Sequence, residues 1–204
     1  MRAIKAIAVA LPLALAGCAG MPPPVAQPAQ ATAARPFHDS IDLGGRLSVR
    51  YQGERQEEAL HGSFAWRQTP LRTTVTLLSP LGQTVAVIDV SPQGATLTQA
   101  GQPARSAPDV DSLTAGTLGW PLPVAGMREW LQGFALDAAG RRFVASPAAA
   151  EVVTRDGWHI RYANWLDENG AAADNRARRV DLARRTEQAG DVSIRIVIDS
   201  WQPH

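Results

Sequence analysis

The single cysteine of the chain, Cys18, carries the most distinctive side-chain chemistry in the sequence. Its thiol can be oxidised or acylated, but one cysteine cannot form a disulfide within its own chain. Histidine is the next candidate for chemistry, at four positions: His38, His61, His159 and His204. Their spacing is not that of a metal site, and Ser79 and Ser91 lie outside any G-x-S-x-G motif. The sequence therefore predicts no metal, no cofactor and no catalytic residue.

The residues before Cys18 are organised like a secretory signal peptide. Arg2 and Lys5 form a short positive segment, and the apolar run 6–16 that follows is too short to span a bilayer. The sequence Leu15-Ala16-Gly17-Cys18 resembles a bacterial lipobox, which implies removal of residues 1–17 and acylation of Cys18. Ala19 in the next position, rather than Asp, resembles lipoproteins sorted to the outer membrane. An ordinary signal peptide followed by an unrelated cysteine is the alternative.

Residues 18–36 are predicted to be the lipidated cysteine and a flexible tether, because they are rich in Pro and Ala and lack hydrophobic periodicity. Residues 37–204 are long enough for a single domain with its own core. Without Arg2 and Lys5, 18 basic residues remain against 19 acidic ones, a net charge of −1. Such a balance argues against nucleic-acid binding. Five arginines stand out locally, as a solvated surface or as a patch for anionic headgroups: Arg176, Arg178, Arg179, Arg184 and Arg185.

Alternating apolar and polar residues dominate this domain. They predict eight strands, at 43–51, 62–68, 73–79, 84–91, 95–100, 158–166, 179–183 and 192–201. A helix capped by Asp111 or Ser112 is predicted to run to Leu118, and a second to span 123–132 and end at Gly133. The second helix has an apolar stripe: Met127, Trp130, Leu131 and Phe134. The predicted fold class is α+β, with a curved antiparallel sheet covered by a small helical lid.

Between two of these strands lies the sequence Leu77-Leu78-Ser79-Pro80-Leu81-Gly82-Gln83-Thr84. Pro80 and Gly82 favour a turn, which would place Leu81 at its tip. A leucine folded back onto the core is the alternative. An exposed leucine on a membrane-tethered domain would instead be free to contact lipid.

The chain resembles the LolB family of outer-membrane lipoproteins over nearly all of its mature length. Besides the lipobox, the resemblance rests on ordered segments: 45–49 (GRLSV), 62–66 (GSFAW), 78–84 (LSPLGQT), 118–124 (LGWPLPV), 130–133 (WLQG), 156–160 (DGWHI) with Tyr162 and Trp165, and 194–201 (IRIVIDSW). Each segment alone is weak, but their order and spacing are specific. Residues 167–175 match no motif and are interpreted as a loop.

The resemblance implies an incomplete, strongly curved β-barrel whose helical lid encloses an apolar cavity for acyl chains. The side chains expected to line it are Leu47, Val49, Phe64, Trp66, Val75, Leu77, Leu118, Met127, Trp130, Leu131, Trp158, Ile160, Tyr162 and Ile196. It also implies a membrane-insertion loop formed by Pro80, Leu81 and Gly82.

By the same resemblance the protein is a monomer on the periplasmic face of the outer membrane, lipid-anchored there. It would accept acylated lipoprotein cargo from a LolA-like periplasmic carrier and insert that cargo among outer-membrane phospholipids. With no nucleotide motif in the sequence, direction would come from graded affinities for the acyl chains. Two other classes stay open: a structural or assembly-accessory lipoprotein without a cavity, and a lipid-modifying enzyme with polar groups at a cavity mouth.

Overall fold

The computed structural model describes residues 35–53, 56–118, 122–167 and 175–204, and the side chain of Leu118 is not among the described groups. These residues all belong to one unit, Thr32–His204. The signal peptide, Cys18, most of the tether and most of the 167–175 loop lie outside them. The elements in chain order are β1 (Ile41–Gln52), β2 (Glu57–Gln68), β3 (Thr73–Leu78), β4 (Thr84–Ser91), β5 (Gly94–Gln99), β6 (Arg105–Ala107), α1 (Val110–Leu118), α2 (Val124–Trp130), β7 (Phe134–Leu136), β8 (Arg142–Val144), β9 (Glu151–Val153), β10 (His159–Trp165), β11 (Ala177–Thr186) and β12 (Gly190–Pro203).

All eight predicted strands are present, as β1 to β5 and β10 to β12. The largest error concerns β2, which begins at Glu57 rather than at Gly62, because its first five residues are all exposed and carry no buried face. The prediction missed β6, β7, β8 and β9, each of three residues. Segments this short contain too little alternation to be recognised.

Ten strands form one antiparallel sheet in the order β6-β5-β4-β3-β2-β1-β12-β11-β10-β9, and β7 pairs with β8 separately. The sheet is open, with β6 and β9 at its edges. Side chains from the five adjacent strands β4-β3-β2-β1-β12 converge on one cavity beneath α2, which requires strong curvature. Together with the two helices, this confirms the predicted α+β class and the incomplete barrel under a helical lid.

A β-bulge where β12 pairs with β1, with Asp199 of β12 as the extra residue, contributes to this curvature. The register between β1 and β12 shifts between Gly44 and Gly45. A Cβ atom on Gly45 would lie 1.9 Å from the carbonyl oxygen of Val197, so the close approach of the two backbones admits only glycine there.

Both helices differ from prediction at their ends. The cap of α1 is Asp109, not Asp111 or Ser112: its carboxylate accepts hydrogen bonds from the Ser112 N–H at 2.7 Å and from the Ser112 hydroxyl at 2.8 Å. These bonds hold the pKa of the Asp109 carboxyl below its usual value. Helix α2 ends at Trp130, two residues earlier than predicted. A tight turn follows and ends at Gly133, which adopts φ +83°. No helix in the described part of the chain is both long and apolar enough to cross a bilayer.

Candidate functional site

An apolar cavity of about 340 Å³ lies between the concave face of the sheet and α2. Nine of the side chains predicted for a cavity line it: Leu47, Val49, Phe64, Trp66, Val75, Leu77, Met127, Leu131 and Ile196. They come from β1, β2, β3, β12 and the lid, so alternation along the strands delivers them to one face. We call the cavity and the side chains that line it the cavity region.

Four side chains predicted for the cavity do not line it: Trp130, Trp158, Ile160 and Tyr162. Trp130 packs on Trp158 with ring centroids 6.3 Å apart, and Tyr162 stacks on Phe143 at 6.2 Å. Ile160 and Trp158 have exposures of 0% and 1%. These residues, with Val180 and Leu182 opposite Tyr162 and Ile160 on β11, form what we call the packed region. The prediction failed here because alternation shows which face a side chain occupies but not whether that face is filled.

Sequence reasoning also missed lining residues. Ile88 and Ile194 continue the buried faces of β4 and β12, so the alternation used for their neighbours would have identified them. Leu122 and Val124 lead into α2. Leu60 and Val85 lie at the mouth, with exposures of 47% and 49%. No sequence signal distinguishes such half-exposed side chains from ordinary surface residues.

The lining of the cavity is mostly apolar and carries no charged side chain in its described part. That part contains no Asp, Glu, Lys or Arg, and its polar side chains are His61, Ser63 and Ser79. A buried charge without a partner costs several kcal/mol, so this interior excludes ionic groups and admits apolar ones. No group of three or more potential metal-binding side chains occurs among the described residues.

The lid is tied to the sheet through Arg128 on α2. Its guanidinium donates to the carbonyl oxygen of Thr69 at 2.8 Å and to the hydroxyl of Thr73. Burial of the guanidinium lowers the pKa of Arg128. Because Thr69 and Thr73 flank the β2–β3 turn, these bonds fix the lid against one end of the sheet.

A second attachment joins the lid to the start of the folded chain. Gln132, 1% exposed, accepts a bond from the His38 N–H at 2.9 Å and donates one to the His38 carbonyl oxygen, also at 2.9 Å. The Arg35 guanidinium donates to the carbonyl oxygens of Gln132 and Ala145 at 3.1 and 2.9 Å. No sequence pattern predicts this arrangement, which places the beginning of the domain against the lid.

The loop between β3 and β4 projects Leu81 away from the protein. Leu81 is 88% exposed, so the alternative of a leucine folded onto the core does not hold. The Ser79 N–H donates to the Gln83 carbonyl oxygen at 2.8 Å, and the Gly82 N–H to the Ser79 carbonyl oxygen at 2.9 Å. Gly82 adopts φ +79°, a conformation that favours glycine. Since Ser79 and Pro80 also line the cavity, this loop borders its mouth.

Several of the arginines noted in the sequence take part in ionic and ring contacts within the domain. Arg179 and Asp181 lie 2.6 Å apart, and the guanidinium of Arg176 lies 4.8 Å from the ring centre of Trp201. Arg184 likewise lies 5.9 Å from the ring centre of Trp158. Burial disfavours ionisation of Asp181, but hydrogen bonds from Arg179 and Arg195 outweigh it and lower its pKa. These contacts support a structural surface for the cluster.

Comparison with known proteins extends these observations. The family model described as "Outer membrane lipoprotein LolB" matches residues 39–201. The outer-membrane lipoprotein LolB of Cupriavidus taiwanensis is 38% identical over 99% of this chain and 98% of its own length. That of Thiobacillus denitrificans is 39% identical over the same shares. Among solved structures, a LolA superfamily protein from Nitrosomonas europaea is similar over 85% of this chain and 90% of its own, with 11% identity and a TM-score of 0.44. The match over nearly the whole chain confirms the resemblance, and the chain belongs to the LolB family.

Proposed function

We propose that this protein accepts acylated lipoproteins from a LolA-like periplasmic carrier, holds their acyl chains in the cavity region and inserts them into the outer membrane. Membership of its family makes it an outer-membrane lipoprotein of the lipoprotein localisation pathway. The observation that carries the mechanism is the cavity of about 340 Å³ with a lining free of charged side chains. This volume falls in the range of about 300–1,000 Å³ found for ligand sites.

The energetic need for such a cavity follows from hydrocarbon burial. Each CH₂ group of an acyl chain gains about 0.8 kcal/mol on leaving water, so a lipoprotein cannot cross the periplasm with its chains exposed. Apolar side chains such as Phe64, Leu77 and Met127 would replace the membrane during handover. The transfer requires no chemical reaction. Its direction follows because the affinity for acyl chains increases from the carrier to the receptor and from the receptor to the bilayer.

The loop at the mouth supports a role for Leu81 in the final step. Because Leu81 is 88% exposed, its side chain adds almost no hydrophobic stabilisation to the folded domain, whereas contact with lipid would bury it. Phospholipid is therefore proposed as the surface that Leu81 meets, and Cys18 as the acylated residue that keeps the domain near that surface. The protein is proposed to act as a monomer.

The competing interpretation, a structural lipoprotein, would have a filled interior in which Trp66, Trp130 and Trp158 pack together. Trp130 and Trp158 do pack together, but Trp66 lines the cavity. The interior thus combines a filled part with an empty one, and the empty part favours transport over a structural role.

Transfer of a radiolabelled lipoprotein from the carrier to liposomes tests the proposal. The native protein is expected to accept and deliver the cargo, and Leu81→Glu to accept it but deliver at least about tenfold less, because a charge opposes entry into lipid. Leu71→Glu is the matched control, since Leu71 is 72% exposed in the β2–β3 turn, at the other end of β3. Failure of the native protein to accept cargo, or equal loss with both variants, would contradict the proposal.

A further inference from the structure

Strand β2 is longer than the neighbour on one of its sides. It pairs with β1 from Glu57 to Gln68, whereas its pairing with β3 begins only at Ser63, opposite Leu78. Among the described residues, 57–61 have no backbone partner on that second side. Alternate residues of a strand direct their N–H and C=O groups to opposite sides, so this stretch presents a short row of unpaired groups.

The loop that follows β3 does not continue the ladder. Ser79 and Gly82 use their N–H groups within the loop, bonding to Gln83 and Ser79 respectively. The Ser79 hydroxyl accepts from the N–H groups of Leu81 and Gln83 at 3.3 Å each. The loop is thus self-contained, and it leaves the edge of β2 at residues 57–61 open.

This edge is held in place from its other side. The Tyr51 hydroxyl donates to the Glu58 carboxylate at 2.5 Å across the β1–β2 pair. The Gln52 N–H donates to the carbonyl oxygen of Ala189 at 2.9 Å, which joins the end of β1 to the β11–β12 turn. A strand edge fixed in advance loses little entropy when another strand adds to it.

The open edge lies at the cavity mouth. Leu60 and His61 belong to the cavity lining, and Val49, the cross-strand neighbour of Leu60, lines it too. Charged residues, which discourage unwanted strand pairing, stand at the outer end of the edge as Glu57 and Glu58. Ala59 and Leu60, closer to the cavity, carry no charge.

We propose that the edge at residues 57–61 binds the extended peptide that follows the acylated cysteine of a cargo lipoprotein, adding it to the sheet as a further strand. This inference rests on the proposed function, in which the acyl chains occupy the cavity. Their peptide must then leave through the mouth, next to the open edge. Main-chain hydrogen bonds recognise a strand whatever its sequence, and side chains at alternate positions add only limited preference. Such recognition suits a receptor whose cargo shares acyl chains but not sequence.

Two synthetic lipopeptides test this site on the purified full-length protein. Both carry a triacylated cysteine followed by ten residues of Ser, Ala and Lys, and one is N-methylated on the first six residues after the cysteine. Methylation leaves the acyl chains unchanged but removes the N–H donors that a strand needs. We expect the unmethylated probe to bind about tenfold more tightly, the effect of two or three net hydrogen bonds.

Amide hydrogen exchange gives a second measurement with the same probes. The unmethylated probe is expected to slow exchange at alternate amides of residues 57–61, and the methylated probe to leave them unchanged. Equal affinities without protection of these amides would overturn strand addition while leaving acyl-chain binding intact. Failure of both probes to bind would overturn the proposed function as well.

Discussion

The cavity region and the packed region occupy the same concave face of one sheet, yet one is empty and the other filled. In the packed region Trp130, Trp158 and Tyr162 contribute large rings that fill the space under the lid. In the cavity region, aliphatic side chains such as Val75 and Ile88 leave about 340 Å³ unfilled. The comparison indicates that the packed region supplies stability, whereas the cavity region gives up contacts to keep space for a ligand.

The largest expected effect comes from removing matched isoleucines. Ile160, 0% exposed, lies in the packed region, and Ile88, 3% exposed, lines the cavity. Ile160→Ala is expected to lower the free energy of unfolding by about 4 kcal/mol, and Ile88→Ala by about 2 kcal/mol, both within the usual range of about 2–5 kcal/mol. Ile88 already lacks neighbours on its cavity side, so it has fewer contacts to lose. Urea denaturation measures both, and equal losses would break the distinction between the regions.

Adding volume should also destabilise the packed region more than the cavity region. Val180→Phe would overpack a residue of 1% exposure and cost about 1–3 kcal/mol. Val75→Phe would extend into the cavity, with a cost below about 1 kcal/mol, because free space receives the ring.

The same pair of variants separates stability from binding. Val75→Phe is expected to weaken binding of an acylated probe about tenfold, since it occupies the space of about two CH₂ groups. Val180→Phe should leave binding within about twofold, provided that both variants fold. Unchanged binding by Val75→Phe would show that the ligand lies elsewhere.

A smaller effect is expected at Tyr162 in the packed region. Its hydroxyl is buried and has no hydrogen-bond partner among the described residues. Burial raises the pKa of the phenol, which therefore stays neutral. An unpaired buried hydroxyl costs about 1–3 kcal/mol, so Tyr162→Phe should stabilise the protein by about 1 kcal/mol. Thermal unfolding of Tyr162→Phe checks this. A loss of stability in the variant would show that the hydroxyl has a polar partner and that the packed region is not wholly apolar.

The smallest effect concerns pH and the outer surface of the packed region. The pKa of Asp181 is lowered in the folded state, because hydrogen bonds from Arg179 and Arg195 outweigh the effect of its burial. Its contribution to stability is therefore present above the unfolded pKa of about 3.9 and is lost as the pH falls through the folded pKa. Asp181→Asn should reduce stability at pH 7 by about 1 kcal/mol at most and leave it unchanged at the lowest pH values. A difference that does not depend on pH would exclude this ionic contribution.

Much of the fold was predictable from the sequence because burial on one face imposes alternation. The clearest case is β12, where Val192, Ile194, Ile196 and Ile198 are all buried. The exposure of Leu81 was also predictable, since Pro80 and Gly82 favour a turn there. The capping residue of α1 was predicted wrongly, as Asp111 or Ser112 instead of Asp109, because all three have side chains able to cap a helix.

The boundary between cavity and core was not predictable from periodicity. Trp66, in β2, and Trp158, directly before β10, are both buried aromatic residues, yet only Trp66 lines the cavity. What separates them is the partner supplied by the lid, Trp130 in the case of Trp158. Contacts between distant elements of this kind leave no mark on local sequence. The open edge of β2 was missed for the same reason, because it depends on where β3 ends.

In the proposed mechanism, acyl chains occupy the cavity region and not the packed region. Photo-crosslinking with a triacylated lipopeptide that carries a diazirine near the end of one acyl chain tests it most directly, with mass spectrometry to locate the adducts. We expect adducts on cavity residues such as Phe64, Leu77 and Met127, and fewer of them when unlabelled lipopeptide competes for the site. Adducts concentrated on Trp158, Ile160 or Tyr162 would contradict it.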